Sequence, residues 1–316
     1  MLHLSEGRAD DAWQDLLTCH RLGRHVGNGA TLIEALVGIA IDNLASQADL
    51  VFVDNAKLSS KEILNCLRDL GKLRPLPLMA EKIDLGERFL FLDSIRIVDR
   101  DGIDALSNSN GLGPPENPDS NGEQLLKSID WDLALRNGNR WYDRIVQALR
   151  SADRDQREKR IREIEGDLKA LKAALMDSAN LAKLVRTAEE PDKALGKAMG
   201  DILIGLMVPA FGRIQHAADR SEQTHRNLAL AFALAAYQRD HRQYPKNLEA
   251  VAPMYLAKIP NDLFTGKALI YRPSANGYLL YSVGVNRQDD GGRSSDDAPH
   301  CDDLPVRMPL PKMRRD

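Results

Sequence analysis

Aromatic side chains make up only 5% of this sequence, so a core must be filled with Leu, Ile, Val and Ala. That bias favours packed helices over an extensive sheet, where aromatic and β-branched residues concentrate. Cysteine is scarce: Cys19, Cys66 and Cys301 are odd in number, far apart and without CxxC spacing. Neither a disulfide framework nor a zinc site is indicated. Cys19 and Cys66 fall in helical patterns and read as small core residues. An excess of positive charge is also missing, and a net charge of -3 argues against a nucleic-acid binder. Apolar runs stay short of the ~20 residues that span a bilayer. Asp42 closes the run from Gly29, and Lys197, Asp201 and Pro209 interrupt the one from Ala194, so no membrane span is expected in this chain.

No signal peptide is legible, because MLHLSEGRADD turns charged within a few residues. Leu2 and Leu4 read as the tail of a helix stopped by Gly7, which predicts that Met1 is an internal start in a longer protein. Catalytic motifs are missing as well: there is no HExxH, GxSxG, P-loop or GxGxxG. His20, His25, His216, His225 and His241 lie in helical patterns without metal-ligand spacing and read as surface or packed histidines. The expectation is a non-catalytic protein.

What is present predicts a mainly α chain with a small α+β C-terminal domain. Residues 1–106 read as a helical bundle. Its helices are Asp10–Val26 with Trp13, Leu16, Leu17 and His20 on one face, Gly29–Ser46, Ser59–Leu70 and Met79–Val98. The join LSEGRADDAW is similar to the turn of one tetratricopeptide-type hairpin, without a second copy at a fixed period. Gly29, Thr31, Leu32, Ile33 and Glu34 resemble the processing motif of type IV prepilins, with Ala30 at its aromatic position; a buried helix with Thr31 as N-cap is the preferred reading. Residues 107–123, rich in Ser, Asn, Gly and Pro, read as a flexible linker. Residues 124–225 carry long helices forming a hairpin that packs on the bundle. Ile161, Ile164, Leu168, Leu171 and Leu175 give it a short heptad, coiled-coil-like seam. Residues 226–304 form the α+β head, and 305–316 a tail that adds an edge strand before fraying.

The head carries the most information. Leu228, Phe232, Ala235 and Ala236 make one face of a helix that must stop before Pro245. A short helix over Leu248–Tyr255 follows. Ala268–Tyr271 and Tyr278–Ser282 then predict a β-hairpin, with Asn276-Gly277 supplying positive φ angles. The order AAYQRDHRQYP, NLEAV, IPNDLFTGKALIYR, GYLLYSVGVN and DDGG resembles the head domain of the major pseudopilins of type II secretion systems. The matching residues are Tyr237, Asp240, Tyr244, Pro245, Asp262, Phe264, Gly266, Tyr271, Ser282, Gly284 and Asn286, over roughly the last quarter of the chain. The resemblance implies a long helix, a strand hairpin and a calcium-binding loop. Asn286 stands where that family has an aspartate, and Leu263 where it has a proline.

Independently of the family, Asp289, Asp290, Asp296, Asp297, Asp302 and Asp303 lie within fifteen residues, beside Gly291 and Gly292. Calcium takes six to eight oxygen ligands, which a glycine-bearing acidic loop can supply. Candidate metal ligands are therefore Asn286, Asp289, Asp290, Asp296 and Asp297; a solvated acidic tail is the other reading. The functional expectation is a structural protein of the bacterial envelope or secretion machinery with an unidentified protein partner, placed outside the cytoplasm by the resemblance. An alternative is a helical scaffold that binds a peptide or protein through its N-terminal bundle. A third is a hydrolase built around Glu34 and His20.

Overall fold

A computed structural model describes residues 2–102, 128–175, 187–208 and 210–311. The predicted linker at 107–123 lies outside them. In chain order the elements are α1 (Leu2–Ser5), α2 (Ala9–Gly27), α3 (Leu32–Asn55), α4 (Ser60–Gly71), α5 (Met79–Lys82) and α6 (Arg88–Asp101). They continue as α7 (Trp131–Leu149), α8 (Arg154–Leu175), α9 (Pro191–Met207) and α10 (Phe211–His241), then β1 (Ile270–Ser274), β2 (Gly277–Ser282) and β3 (Leu304–Met308). The chain is thus mainly helical, with one small antiparallel sheet of order β1-β2-β3 near its C-terminal end.

The compact units divide elsewhere than the predicted boundaries at 106 and 225. One unit joins residues 1–29 and 33–77 to 216–316; the other holds 30–32 and 78–215. The reason lies in α10. Leu230, Ala231, Phe232, Ala233, Leu234 and Ala236 are all fully buried, so this stretch hides its whole circumference rather than one stripe. Tyr278, Leu280, Val306 and Met308 of the sheet share its core with Trp13, Leu16, Leu17, Phe52, Val53 and Ile63 of α2–α4. Trp13 stacks on Phe52 at 5.4 Å and tilts against Phe232 at 5.9 Å. A sheet alone could not cover such a helix, so the N-terminal helices belong to the head's core.

Local chemistry sets the ends of these elements. Ser59 caps α4, its hydroxyl accepting from the Glu62 amide while Glu62 accepts from the Ser59 amide. Beyond α10, Arg242 turns left-handed at φ 64° ahead of Pro245. The hairpin is tighter than predicted: Ser274 pairs with Gly277, leaving Ala275 and Asn276 as the turn, and neither Asn276 nor Gly277 has positive φ. Gly277 is required for a different reason, since a Cβ there would lie 1.8 Å from the Met308 carbonyl oxygen. The edge strand expected in the tail is β3, whose residues pair with β2 from Ser282↔Leu304 to Tyr278↔Met308.

The other unit is helical. A π turn at Ile83–Glu87 joins α5 to α6, where one continuous helix is predicted. Gly86 in that turn lets the Ala30 carbonyl approach to 2.1 Å from where a Cβ would sit. Gly138 on α7 leaves the space filled by the Phe91 ring, which lies 5.3 Å from Tyr142. Ile161, Ile164 and Leu168 of the predicted seam are buried on α8. Asp201 on the apolar α9 is satisfied by Asn137 Nδ2 at 2.6 Å and Trp141 Nε1 at 3.3 Å.

Candidate functional site

Two polar assemblies stand out, both within the unit that contains the sheet. The first is the loop from Val283 to Asp303 between β2 and β3. Asp262 ties its start: Oδ2 accepts from the Val283 amide at 3.0 Å, and Oδ1 from the Phe264 and Thr265 amides at 2.7 and 3.1 Å. Asp302 Oδ2 accepts from the Val285 and Asn286 amides at 2.9 and 3.1 Å and from Arg220 at 3.1 Å. Gly284, at φ +68°, is needed because a Cβ there would meet the Asp302 carbonyl oxygen at 2.2 Å.

Of the predicted ligands, the loop brings Asn286 and Asp290 together with Asp302. Asp290 Oδ2 accepts from Asn286 Nδ2 and from the Asp302 amide, each at 3.2 Å. Asp289 turns instead to the Tyr281 hydroxyl at 2.8 Å and the Gly291 amide at 2.9 Å, and these bonds lower its pKa. Asp297 is held by the Ser294 amide at 2.8 Å and by Arg307 at 2.6 Å. Asp296 is exposed. Among the described residues no three His, Cys, Asp or Glu side chains gather at metal-ligand spacing.

Two oxygens in the loop are nonetheless orphaned. Oδ1 of Asp302 and Oδ1 of Asp303 are buried without a hydrogen-bond donor. Asp303 is fully buried. Burial, then the nearby charges of Asp290 and Asp289, pushes its carboxyl up to about 6. A lone pair buried without a donor calls for a proton or a cation.

The second assembly is a buried charge cluster that the sequence reading passed over. The α2 and α3 backbones cross closely at glycines: a Cβ on Gly38 would meet the Gly23 oxygen at 2.5 Å and the Gly27 Cα at 2.6 Å. The close crossing places His20 between two aspartates of α3. Its Nδ1 lies 2.8 Å from Asp42 Oδ1 and its Nε2 2.8 Å from Asp49 Oδ2. All three side chains are at most 1% exposed. Arg24 Nε donates to Asp42 at 3.0 Å, and His225 of α10 reaches the other Asp42 oxygen.

Burial pulls the His20 pKa down, but the bonds to Asp42 and Asp49 outweigh it and raise it to about 9. For Asp42 burial is outweighed too, by His20, His225 and Arg24, which hold it well below the usual carboxylate range. Burial raises Asp49, whose second oxygen has no donor. His20 is therefore an imidazolium that donates from both nitrogens, with no lone pair left for base catalysis or metal ligation. It does not meet Glu34, whose carboxyl group fills the space above Gly29. The cluster also explains why α3 runs on to Asn55 instead of ending at Ser46: Asp42 and Asp49 both meet His20 on its packed side. By length and hydropathy alone α3 could cross a bilayer, as could a stretch within Pro191–His241.

The sequence carried one signal for this cluster, the spacing of Asp42 and Asp49 seven residues apart on an apolar helix. It named no partner for them. No family model, curated protein or solved structure matches the chain.

Proposed function

We propose that the chain is a non-catalytic structural protein of the bacterial envelope or secretion machinery, with a pseudopilin-like head, and that it works as a self-contained subunit. The observation that carries this reading is the circumferential burial of Leu230–Leu234 on α10 by the sheet and by α2–α4 of the same chain. The order of long helix, tied loop and three-stranded meander supports the head assignment. A helix covered on every side has no face left along that stretch for packing against copies of itself, which argues for a platform rather than a filament subunit.

Calcium belongs to this reading as a ligand of the Val283–Asp303 loop. The donor-free oxygens of Asp302 and Asp303 support it, with Asp290 and Asn286 beside them. Bound there, the ion would supply positive charge to a loop whose carboxylates otherwise repel.

The test is sedimentation of the full chain over a hundredfold concentration range, joined to cell fractionation. A monomer throughout and recovery in the envelope fraction are expected. Concentration-dependent filaments or a purely cytoplasmic protein would overturn the reading. Thermal melting with calcium and with a chelator tests the loop separately, a rise in midpoint being expected from a ligand bound by the native state alone. The full chain is required, since residues 221–316 alone would expose the apolar circumference of α10.

The scaffold reading has one observation of its own. Ile33, Val37, Leu44 and Val51 lie along one exposed line of α3, with Ile33 at 73% and Leu44 at 66% exposure. Such a line suits the apolar face of a partner helix.

A further inference from the structure

One cavity in the sheet-containing unit carries a ligand assignment independent of the pseudopilin reading. It is about 680 Å³ and lies between the C-terminal half of α2 and the segment after α4. Five basic side chains line it, Arg21, Arg24, His25, Lys72 and Arg74, and its lining holds no carboxylate. The whole chain carries a net charge of -3, so this concentration of positive charge is local.

Part of that charge has ordinary work. Lysine and arginine favour helix C-termini, where they complement the dipole. Arg24 and His25 sit in the last turn of α2, and Lys72 is the C-cap of α4. Arg24 is further engaged by Asp42 at 3.0 Å and donates to the Arg74 carbonyl. Lys72 is paired with Asp69 at 2.9 Å.

Arg21 and Arg74 are left over. Arg21 lies more than a turn before the end of α2, and Arg74 lies beyond the cap of α4. Both are exposed, and neither side chain makes an ion pair or hydrogen bond among the described residues. Pro75 restricts Arg74 to extended backbone, which fixes the second wall of the cavity. Two free guanidinium groups facing one concave space repel each other unless an anion sits between them, and the fork of each matches phosphate oxygens two at a time.

Size and the remaining lining narrow the ligand. A volume of about 680 Å³ falls within the range of small-molecule sites. Leu22, 52% exposed, and Leu73 give it an apolar wall. Thr18 and Asn28 add neutral hydrogen-bonding groups. We infer that this cavity binds a small phosphate-bearing anion with an apolar or ring portion, its phosphate held between Arg21 and Arg74. The same chemistry is offered by a free phosphate compound and by an anionic lipid headgroup.

The experiment is calorimetric titration of the full chain with ADP and with pyrophosphate at about 50 mM salt, where screening is moderate. A parallel arm measures co-sedimentation with phosphatidylcholine vesicles with and without phosphatidic acid. Saturable one-to-one binding of ADP or pyrophosphate assigns a soluble ligand; binding only to phosphatidic acid vesicles assigns a headgroup. In either arm Arg21→Glu with Arg74→Glu should weaken binding at least about tenfold, as expected when two charge-assisted contacts are reversed. Lys57→Glu with Lys61→Glu makes the same change in net charge away from the cavity and should leave binding nearly unchanged. Circular dichroism confirms that both variants are folded. Failure of the wild-type chain to bind in both arms overturns the assignment, and so does equal weakening by the two variants, which would mark a diffuse field rather than a site.

Discussion

The buried His20 cluster makes a prediction that can be worked through in numbers. Its imidazolium is shared between Asp42 and Asp49 at 2.8 Å each. Folding raises the pKa from 6.5 to about 9. A raised pKa means that the folded state holds the proton more tightly than the unfolded state does. The stabilisation is then complete below pH 6.5 and is lost as pH rises to about 9. At ~1.36 kcal/mol per decade of proton affinity this amounts to about 3 kcal/mol. Asp303 titrates in a lower window, between the ordinary carboxylate range and about 6, and so leaves the alkaline limb undisturbed. The assay is urea unfolding at pH 6, 7.5 and 9. It is followed by Trp13, which packs against Phe52 and Phe232, in a Trp131→Phe, Trp141→Phe background that leaves it as the sole tryptophan. The expected result is a fall in stability of about 3 kcal/mol across that range. His20→Leu should flatten the alkaline slope and cost about 3–5 kcal/mol at neutral pH, because Asp49 is then left buried without its partner. Adding Asp49→Leu should restore much of that loss, since an apolar replacement of a whole buried pair is often neutral. A stability that is flat with pH, or a slope that survives His20→Leu, would refute the imidazolium assignment.

Phe232→Ala, at the centre of the fully buried stretch, should cost about 3–5 kcal/mol in the same unfolding assay. Gly38→Ala forces a methyl group against the α2 backbone and should destabilise by about 1–3 kcal/mol while reducing the alkaline slope, because His20 is drawn away from Asp42. Asp262→Ala strips three backbone amides of their acceptor and should lower stability by roughly 3 kcal/mol, with faster amide exchange at Val283, Phe264 and Thr265 as the local readout. For Asp303 the folded pKa is raised to about 6, so its ionisation destabilises the calcium-free fold. Asp303→Asn should therefore raise the calcium-free melting midpoint at pH 7.5, by the equivalent of ~3 kcal/mol, and abolish any calcium response.

The helices were legible wherever one face is apolar. Trp13, Leu16 and Leu17 on α2, and Ile63 on α4, are buried as their spacing requires. The extent of α3 was not legible, because Asp42 closes the apolar run from Gly29 and Asp49 adds a second charge beyond it. Their cost is removed by His20, Arg24 and His225, and the last of these lies about 180 residues further along the chain. The hairpin was legible from its β-branched and aromatic residues, but its turn was misplaced. Asn-Gly is a strong turn pair in isolation, whereas here Gly277 is used for the close approach of the Met308 carbonyl on β3. An edge strand is expected in the segment that holds β3, but its register against β2, and so its demand on Gly277, could not be seen locally.

The same limit governed the sites. The acidic loop could be found from composition, but composition counts aspartates without separating those already in use. Asp289 turns Oδ1 to Tyr281 and Gly291, and Asp297 turns Oδ2 to Ser294 and Arg307, while Asp302 and Asp303 each keep one buried oxygen without a donor. A cation would therefore be drawn toward the end of the loop nearest β3 rather than toward its aspartate-rich middle. The basic cavity follows the reverse logic. Its charges are dispersed in sequence between α2 and the segment after α4, in a chain whose net charge is negative, and only the fold makes them neighbours. In both places the fold positions polar groups and leaves them without a partner, which is the observation that distinguishes them from the solvated surface around them.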